Sequence, residues 1–350
     1  MPVIQEMGKY GHEQIVFIRD EKVGLRAIIA VHNTVLGPAL GGTRFWNYAT
    51  EEEALVDVLR LSRGMTLKSA AAGLKLGGAK AVVIGDPLKL KSREFFHVYG
   101  GYIDSLGGKY YTAEDMNISA EDIGMINEVT KYVSGTPAKS GNPSPFTARG
   151  VYMGIKAGAS VKFGTDSLEG KTVAVQGLGN VGYALCEHLH KEGAKLKVCD
   201  IFNSAAVGKA VKELGAFAVK PEDLLATDCD IFAPCAMGAV FNSENIKNLK
   251  CKLIAGAANN VLLDTSVGDA LDRLDVLYVP DYIINAGGVI NCGIEIENPD
   301  WRYNVDEVNA RIDGIYATTL KIIALAKEKR VSTSKAADEY AEGIVRAGRG

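Results

Sequence analysis

The run Gly177-Leu178-Gly179-Asn180-Val181-Gly182 narrows what this 350-residue chain can fold into more than any other feature. A short apolar segment, residues 172–176, leads straight into the first glycine, and a helix-like pattern follows from Val181. In a strand–turn–helix unit the first glycine permits the tight turn and the second lets the backbone approach a pyrophosphate. The third lets the helix pack close to the sheet. The helix N-terminus then offers N–H groups and a dipole that favour phosphate charge. The next apolar segment ends in Asp200, at the ~20-residue spacing of an acid that accepts from the adenine-ribose hydroxyls. Such an acid also repels a 2′-phosphate, so the expected cofactor is NAD rather than NADP.

The glycine count points the same way. The chain carries 39 glycines, more than the ~7% of ordinary usage. Glycine is costly unless the backbone needs positive φ or close approach. Two further clusters stand out, Gly37-Pro-Ala-Leu40-Gly41-Gly42-Thr-Arg44 and Gly73-Leu-Lys-Leu-Gly77-Gly78-Ala-Lys80. Formal net charge is −3 with pI about 6.0, so neither nucleic acid nor an anionic membrane surface is an expected partner. Six cysteines lack CxxC spacing and the histidines lack ligand spacing, so reduced thiols and no metal are expected. No basic-then-apolar leader and no membrane-length apolar run is visible, which reads as a cytoplasmic chain.

Residues 12–19 and 25–32 read as a hairpin, and Thr50 with Glu53 as a capping box opening a helix that runs towards Gly64. A buried strand from Lys80 and a helix over 92–106 follow. From residue 172 the pattern alternates strand and helix, predicting a doubly wound parallel sheet. The chain therefore reads as α/β, an N-terminal α/β unit beside a Rossmann-type unit with a cleft between them. The first unit is expected at 1–134 plus 328–350 and the dinucleotide unit at 146–327. The Gly-, Pro- and Ser-rich stretch 135–145 is expected as hinge.

Lys68 and Lys80 stand among apolar or glycine residues, where a lysine is either a snorkelling surface chain or a buried functional amine. Asp115 follows a strand-like segment. A fixed ammonium suits a carboxylate, and an amine or carboxylate of tuned pKa suits proton transfer.

The motifs GPALGGTRFW, SRGMTLKSAAAGLKLGGAKAVVIGDP, YTAEDM, SGNPSPFTARGVY, VAVQGLGNVG, DIFAPCAMGAVFN, IAGAANN and PDYIINAGGVIN resemble the glutamate, leucine, phenylalanine and valine dehydrogenase superfamily over nearly the whole chain. That resemblance implies NAD-dependent oxidative deamination of an amino acid to a 2-oxo acid and ammonium. It implies that Lys68 binds the substrate carboxylate with help from Gly41, Gly42 and Met65. Lys80 then activates water, and Asp115 exchanges protons with the substrate nitrogen. Thr147, Ala236, Asn260 and Asn285 fall near the cofactor, beside Gly177, Gly179, Asn180, Val181, Gly182 and Asp200. The side-chain pocket falls on Leu40, Ala113, Val289 and Cys292, all apolar or weakly polar, which disfavours glutamate and suits leucine and other branched-chain L-amino acids. The alternatives are an aromatic amino acid dehydrogenase of the same family and a non-enzymatic NAD sensor. A homo-oligomer, from dimer to octamer, is also implied. Replacing Gly41, Gly78 or Gly179 by a β-branched residue is expected to damage binding more than folding.

Overall fold

A computed structural model describes residues 2–137, 139–236, 240–298 and 303–348. The chain forms two compact units: Met1–Pro143 with Val289–Val305 and Ala341–Gly350, and Ser144–Gly288 with Asp306–Tyr340.

The first unit begins α1 (Val3–Tyr10), β1 (Gln14–Asp20), β2 (Leu25–Asn33), β3 (Ala39–Leu40), β4 (Thr43–Trp46) and α2 (Glu51–Ala71). It continues β5 (Gly77–Ile84), α3 (Pro87–Leu90), α4 (Arg93–Asp104), β6 (Tyr110–Tyr111) and α5 (Ala120–Asn127). The antiparallel β1–β2 hairpin extends to β5, which is antiparallel to β2 and parallel to β3 and β4. Strand period sorts the core into two layers. Ile29, Val31, Ala79, Ala81 and Val83 pack with Phe95, Phe96, Tyr99 and Ile123. Ile28, Ala30, Val82 and Ile84 pack with Ala54, Leu55, Val58 and Leu59 of α2. Lys80 shares the parity of Val82 and Ile84, so it belongs to the face covered by α2.

β3 and β4 are one strand interrupted at Gly41-Gly42. Ala39 sits beside Gly77 before the break and Thr43 beside Ala81 after it, in the same register. The gap therefore falls opposite Ala79 and Lys80. A Cβ on Gly41 would lie 1.7 Å from the Ala79 carbonyl oxygen. On the other side of β5, a Cβ on Gly78 would lie 2.0 Å from the Thr66 nitrogen of α2.

α2 does not end near Gly64. It runs to Ala71, because its buried face continues through Thr66, Leu67, Ser69, Ala70 and Ala71. One exposed helical glycine costs only ~1 kcal/mol, less than that face gains. Lys68 thus stands on the last turn of a helix. Thr50 Oγ1 accepts from the Glu53 N–H, but the Glu53 carboxylate accepts from Ala49 rather than Thr50, so the box closes one residue early.

The second unit contains α6 (Ser144–Phe163), β7 (Thr172–Gln176), α7 (Asn180–Lys191), β8 (Lys195–Cys199), α8 (Ser204–Leu214), β9 (Phe217–Ala218), β10 (Ile231–Pro234), β11 (Leu253–Ile254), α9 (Thr265–Arg273), β12 (Leu277–Tyr278) and α10 (Asp281–Ile284). Its sheet is wholly parallel in the order β12-β11-β10-β7-β8-β9. This is the doubly wound Rossmann order, with the reversal between β7 and β10, where such sheets bind ligands at their carboxyl ends. α11 (Gly287–Glu297), α12 (Val305–Lys329) and α13 (Thr333–Ala347) complete the chain and each belongs partly to both units. Val289–Val305 joins the first unit and residues 328–340 the second, unlike the expected division, and the first unit extends through Pro143. Among the described residues no helix is long and apolar enough to cross a membrane.

Two predictions follow from this packing. Gly78→Val forces backbone apart and should cost on the order of 3 kcal/mol or more in denaturant unfolding. Gly179→Ala should leave the midpoint almost unchanged, since a Cβ there meets nothing within 4 Å. At Gly41 and Gly78 an added Cβ would meet backbone, so replacement there is expected to cost folding as well as binding. His12, buried beside His32 and bonded to the Ser62 hydroxyl at 2.7 Å, is pushed down to about 4 by burial, then by His32. Its unfolded form takes up a proton below about 6.5, so folding stability should fall as pH drops from 6.5 to about 4, by up to about 3 kcal/mol. His12→Gln should flatten that part of a melting-temperature profile, and an unchanged slope would remove His12 as its cause.

Candidate active site

The break at Gly41-Gly42 assembles a charged cluster from two strands, the segment after β6 and a helix of the first unit. Lys80, on fully buried β5, has a side chain only 7% exposed, and its Nζ lies 3.1 Å from Asp115 Oδ2. Asp115 follows β6 in the segment that packs on the glycines: a Cβ on Gly42 would lie 3.0 Å from the Asp115 Cβ. Arg44 Nε from β4 donates to the same Asp115 oxygen at 3.1 Å. Its other arm donates to Asp57 of α2 at 2.9 Å, and the Tyr48 hydroxyl donates to Asp57 at 2.6 Å. Burial alone would raise the Asp115 carboxyl. Lys80 and then Arg44 outweigh that and hold it below its usual value, so it is ionised at neutral pH. Lys80 and Asp115, singled out separately in the sequence, are thus in contact. Arg44 was visible only as part of a motif, because nothing in the sequence says which carboxylate an arginine will reach.

Lys68 and Met65, three residues apart on α2, are both half-buried. The close packing at Gly78 sets this end of α2 onto the strand that carries Lys80. Gly41 is held from two directions: its N–H donates to the Tyr111 carbonyl at 3.1 Å, and its own carbonyl accepts from the Tyr110 hydroxyl at 2.8 Å. Tyr99, Thr43 and Thr112 continue that buried hydroxyl network. Sequence reading had no signal for it, since hydroxyl side chains acquire partners only through the fold.

The four expected pocket residues meet in one apolar cluster. Leu40, Ala113 and Cys292 are buried together with Leu74, Leu76 and Tyr111, and Val289 packs against them. None of these side chains carries a charge of its own. Burial pushes the Cys292 thiol up to about 12, so it is a neutral apolar surface here. Behind it lies Glu295, 0% exposed. Its Oε2 accepts from the Ser140 hydroxyl at 2.6 Å and the Ser134 hydroxyl at 3.3 Å, while Lys139 lies 3.5 Å from Oε1. Ser134 also donates to the Cys292 carbonyl at 2.9 Å. These bonds explain why residues 135–143 pack in the first unit. Glu295 went unremarked in the sequence because a single glutamate on an apolar helix carries no pattern.

In the second unit the fingerprint turn has the geometry its glycines suggest. Gly177 has φ 91°, in the left-handed region, and a Cβ there would meet Ala236 at 2.8–2.9 Å. Gly182 backs onto the Gly177 carbonyl, where a Cβ would lie 2.0 Å away. Gly179 caps α7 without a side-chain bond, leaving the N–H groups of Asn180 and Val181 at an open helix end. Asp200 accepts from the Leu178 N–H at 2.7 Å and from Phe202 and Asn203 at 2.8 Å. These amides hold its carboxyl low against the opposing effect of burial. Oδ1 is taken up by Phe202 and Asn203, whereas Oδ2 accepts only from Leu178 and keeps lone-pair capacity for a ribose hydroxyl.

Asn285, after α10, donates to the Ala257 carbonyl at 3.0 Å and to Asn259 Oδ1 at 2.9 Å. Its Oδ1 is buried without a hydrogen-bond partner among the described residues. An orphan acceptor at the end of this sheet fits the N–H of a carboxamide, so these residues suit a nicotinamide. Asn260 has φ 53°, a strained value for a non-glycine residue, and is exposed. Its neighbour Asn259, passed over in the sequence, is the one that positions Asn285. Thr147 lies against Gly287, where a Cβ would be 3.0 Å from the Thr147 nitrogen. Among the described residues no group of three or more His, Cys, Asp or Glu side chains could hold a metal ion.

The family model described as "Glu/Leu/Phe/Val dehydrogenase, dimerisation domain" matches residues 12–138, and that described as "Glutamate/Leucine/Phenylalanine/Valine dehydrogenase" matches 143–207 and 196–347. The chain belongs to the Glu/Leu/Phe/Val dehydrogenase family. It is similar to leucine dehydrogenase of Bacillus subtilis (strain 168), 53% identical over 98% of this chain and 93% of that one. Leucine dehydrogenase of Geobacillus stearothermophilus is 52% identical with the same coverage. Among solved structures, L-tryptophan dehydrogenase from Nostoc punctiforme superposes with a TM-score of 0.87 at 41% identity, covering 99% of this chain and 100% of that one. The chain is therefore an amino acid dehydrogenase, an oxidoreductase with a Rossmann-type unit.

Proposed function

We propose that this dehydrogenase oxidatively deaminates L-leucine and other branched-chain L-amino acids with NAD, giving a 2-oxo acid, ammonium, NADH and a proton, and that it runs equally in reverse. The observation that carries the substrate class is the uncharged cluster of Leu40, Ala113, Val289 and Cys292. A second substrate carboxylate buried there would lack a partner, at a cost of several kcal/mol. Branched-chain substrates differ by a methylene, worth ~1–3 kcal/mol, so leucine, isoleucine and valine should all react.

In this reading Lys68 and the backbone at Gly41 and Gly42 hold the α-carboxylate, with Met65 beside them. Asp115 accepts a proton from the substrate ammonium, for which its ionised state is suited. Bound NAD supplies the hydride acceptor at nicotinamide C4, and the protein's part is to orient the substrate Cα–H and exclude water. Lys80 first releases its ammonium proton to solvent and, as the neutral amine, removes a proton from the water that attacks the iminium carbon; Asp115 returns a proton to the departing amine. Asp200 favours NAD because its carboxylate would repel a 2′-phosphate. Gly177, Gly179, Asn180, Val181, Gly182 and Ala236 form the pyrophosphate side, and Thr147, Asn260 and Asn285 the nicotinamide side. A cytoplasmic homo-oligomer, dimer to octamer, completes the reading. Relatives 43–44% identical include tryptophan and phenylalanine dehydrogenases, so aromatic substrates are the second reading.

NADH formation followed at 340 nm with leucine, valine, phenylalanine, tryptophan and glutamate tests the substrate. Leucine or valine should give the highest kcat/KM; a higher value for an aromatic substrate would overturn the branched-chain assignment. NADP should be used at least tenfold less well than NAD. Lys80→Ala should lose nearly all turnover while retaining NADH binding by fluorescence titration, and substantial turnover would refute its role as base.

A further inference from the structure

Arg44 belongs to the charged cluster but has no part in the mechanism above. Arg44 Nε and Lys80 Nζ both lie 3.1 Å from the same oxygen, Asp115 Oδ2. No hydrogen bond or ion pair to a described residue engages Oδ1. Arg44 is itself fixed: Asp57 accepts from its other arm at 2.9 Å, and Tyr48 in turn donates to Asp57. All three side chains are mostly buried, with Arg44 21%, Asp115 25% and Asp57 29% exposed. A planar fork gripping two carboxylates fixes their relative orientation in a way a single ammonium cannot. One cation on Oδ2 would let the carboxylate swing about its Cβ–Cγ bond; two cations arriving from different strands do not.

We infer that Arg44 is a positioning residue, which with Lys80 pins Asp115 Oδ2 so that Oδ1 is presented to the substrate nitrogen. This rests on the assignment of Asp115 to proton exchange. Arg44 needs no contact with substrate or cofactor in this role, and its whole effect passes through Asp115. The remaining groups facing the pair are Tyr110 from β6, whose hydroxyl is committed to Gly41, and Asp57 from α2, whose charge is taken up by Arg44 and Tyr48.

A double-mutant cycle on the full-length enzyme tests this, since residues acting through one another are non-additive. Arg44→Met should lower kcat for leucine oxidation by about 10- to 100-fold, the scale of a small misplacement of a reacting group. KM for leucine and NADH affinity should stay within about twofold. In an Asp115→Asn background, measured by single turnover, the same replacement should change the rate by less than about twofold. Equal losses in both backgrounds, or a loss carried by KM instead of kcat, would overturn the inference. Arg44→Lys keeps the charge but cannot grip both carboxylates, so it should fold and still lose kcat; wild-type kcat in that variant would also overturn it. If Asp115→Asn is fully active, the proton-exchange assignment itself fails. If Asp115→Asn is inactive but Arg44→Met is not, only the positioning role fails.

Discussion

The first unit depends on backbone packed against backbone at the Gly41-Gly42 break. There β3–β4, β5 and the segment after β6 approach so closely that a Cβ on Gly41 would overlap the Ala79 carbonyl and one on Gly42 would crowd Glu114 and Asp115. Removing side chains at that point does two things. It interrupts the strand without changing its register, so that Ala39 and Thr43 keep the same alignment with β5. It also brings Asp115 within 3.1 Å of Lys80, which would otherwise be a nearly buried cation with no counter-ion. The glycines, the lysine and the aspartate are thus one constraint, since the ion pair requires the close approach and the close approach requires glycine.

Much of this was legible in the chain itself. β7 falls on the predicted residues, and the acid after β8 is Asp200, because a parallel sheet with both faces covered leaves long apolar runs between turn glycines. The short elements were not. β3 and β9 span two residues each, and α10 four, too few for a period to register. The helix over Gly287–Glu297 was hidden by its two leading glycines and by a face that is apolar nearly all round. α2 was cut short at Gly64 because a glycine punctuates sequence more strongly than it punctuates a helix held by burial.

The site shows the same division. Lys68, Lys80 and Asp115 could be picked out because charged residues in apolar surroundings are conspicuous. Their partners could not. Nothing around Arg44, Asp57 or Tyr48 in the sequence says that they meet, and the Tyr110–Gly41 bond joins residues far apart in the chain. Asn259 was passed over for the adjacent Asn260, since two identical neighbours cannot be told apart until the fold shows which one Asn285 bonds. Side-chain chemistry is written in the sequence, whereas the hydrogen bonds that orient it are written in the topology.

In the proposed reading, the first unit also separates what the reaction requires from what selects its substrate. The charged cluster hangs on β4, β5 and the segment after β6, where glycine contacts below 3 Å leave no latitude for change. The apolar cluster is built from side chains alone, with Leu40, Ala113, Val289 and Cys292 contributed by different elements and closed from behind by the Glu295 clasp. A substitution there alters volume or polarity locally, by ~1–3 kcal/mol in binding, without moving Lys80 or Asp115. On that reading one scaffold can serve aliphatic or aromatic amino acids, because the proposed chemistry rests on backbone packing and the proposed choice of substrate on replaceable side chains.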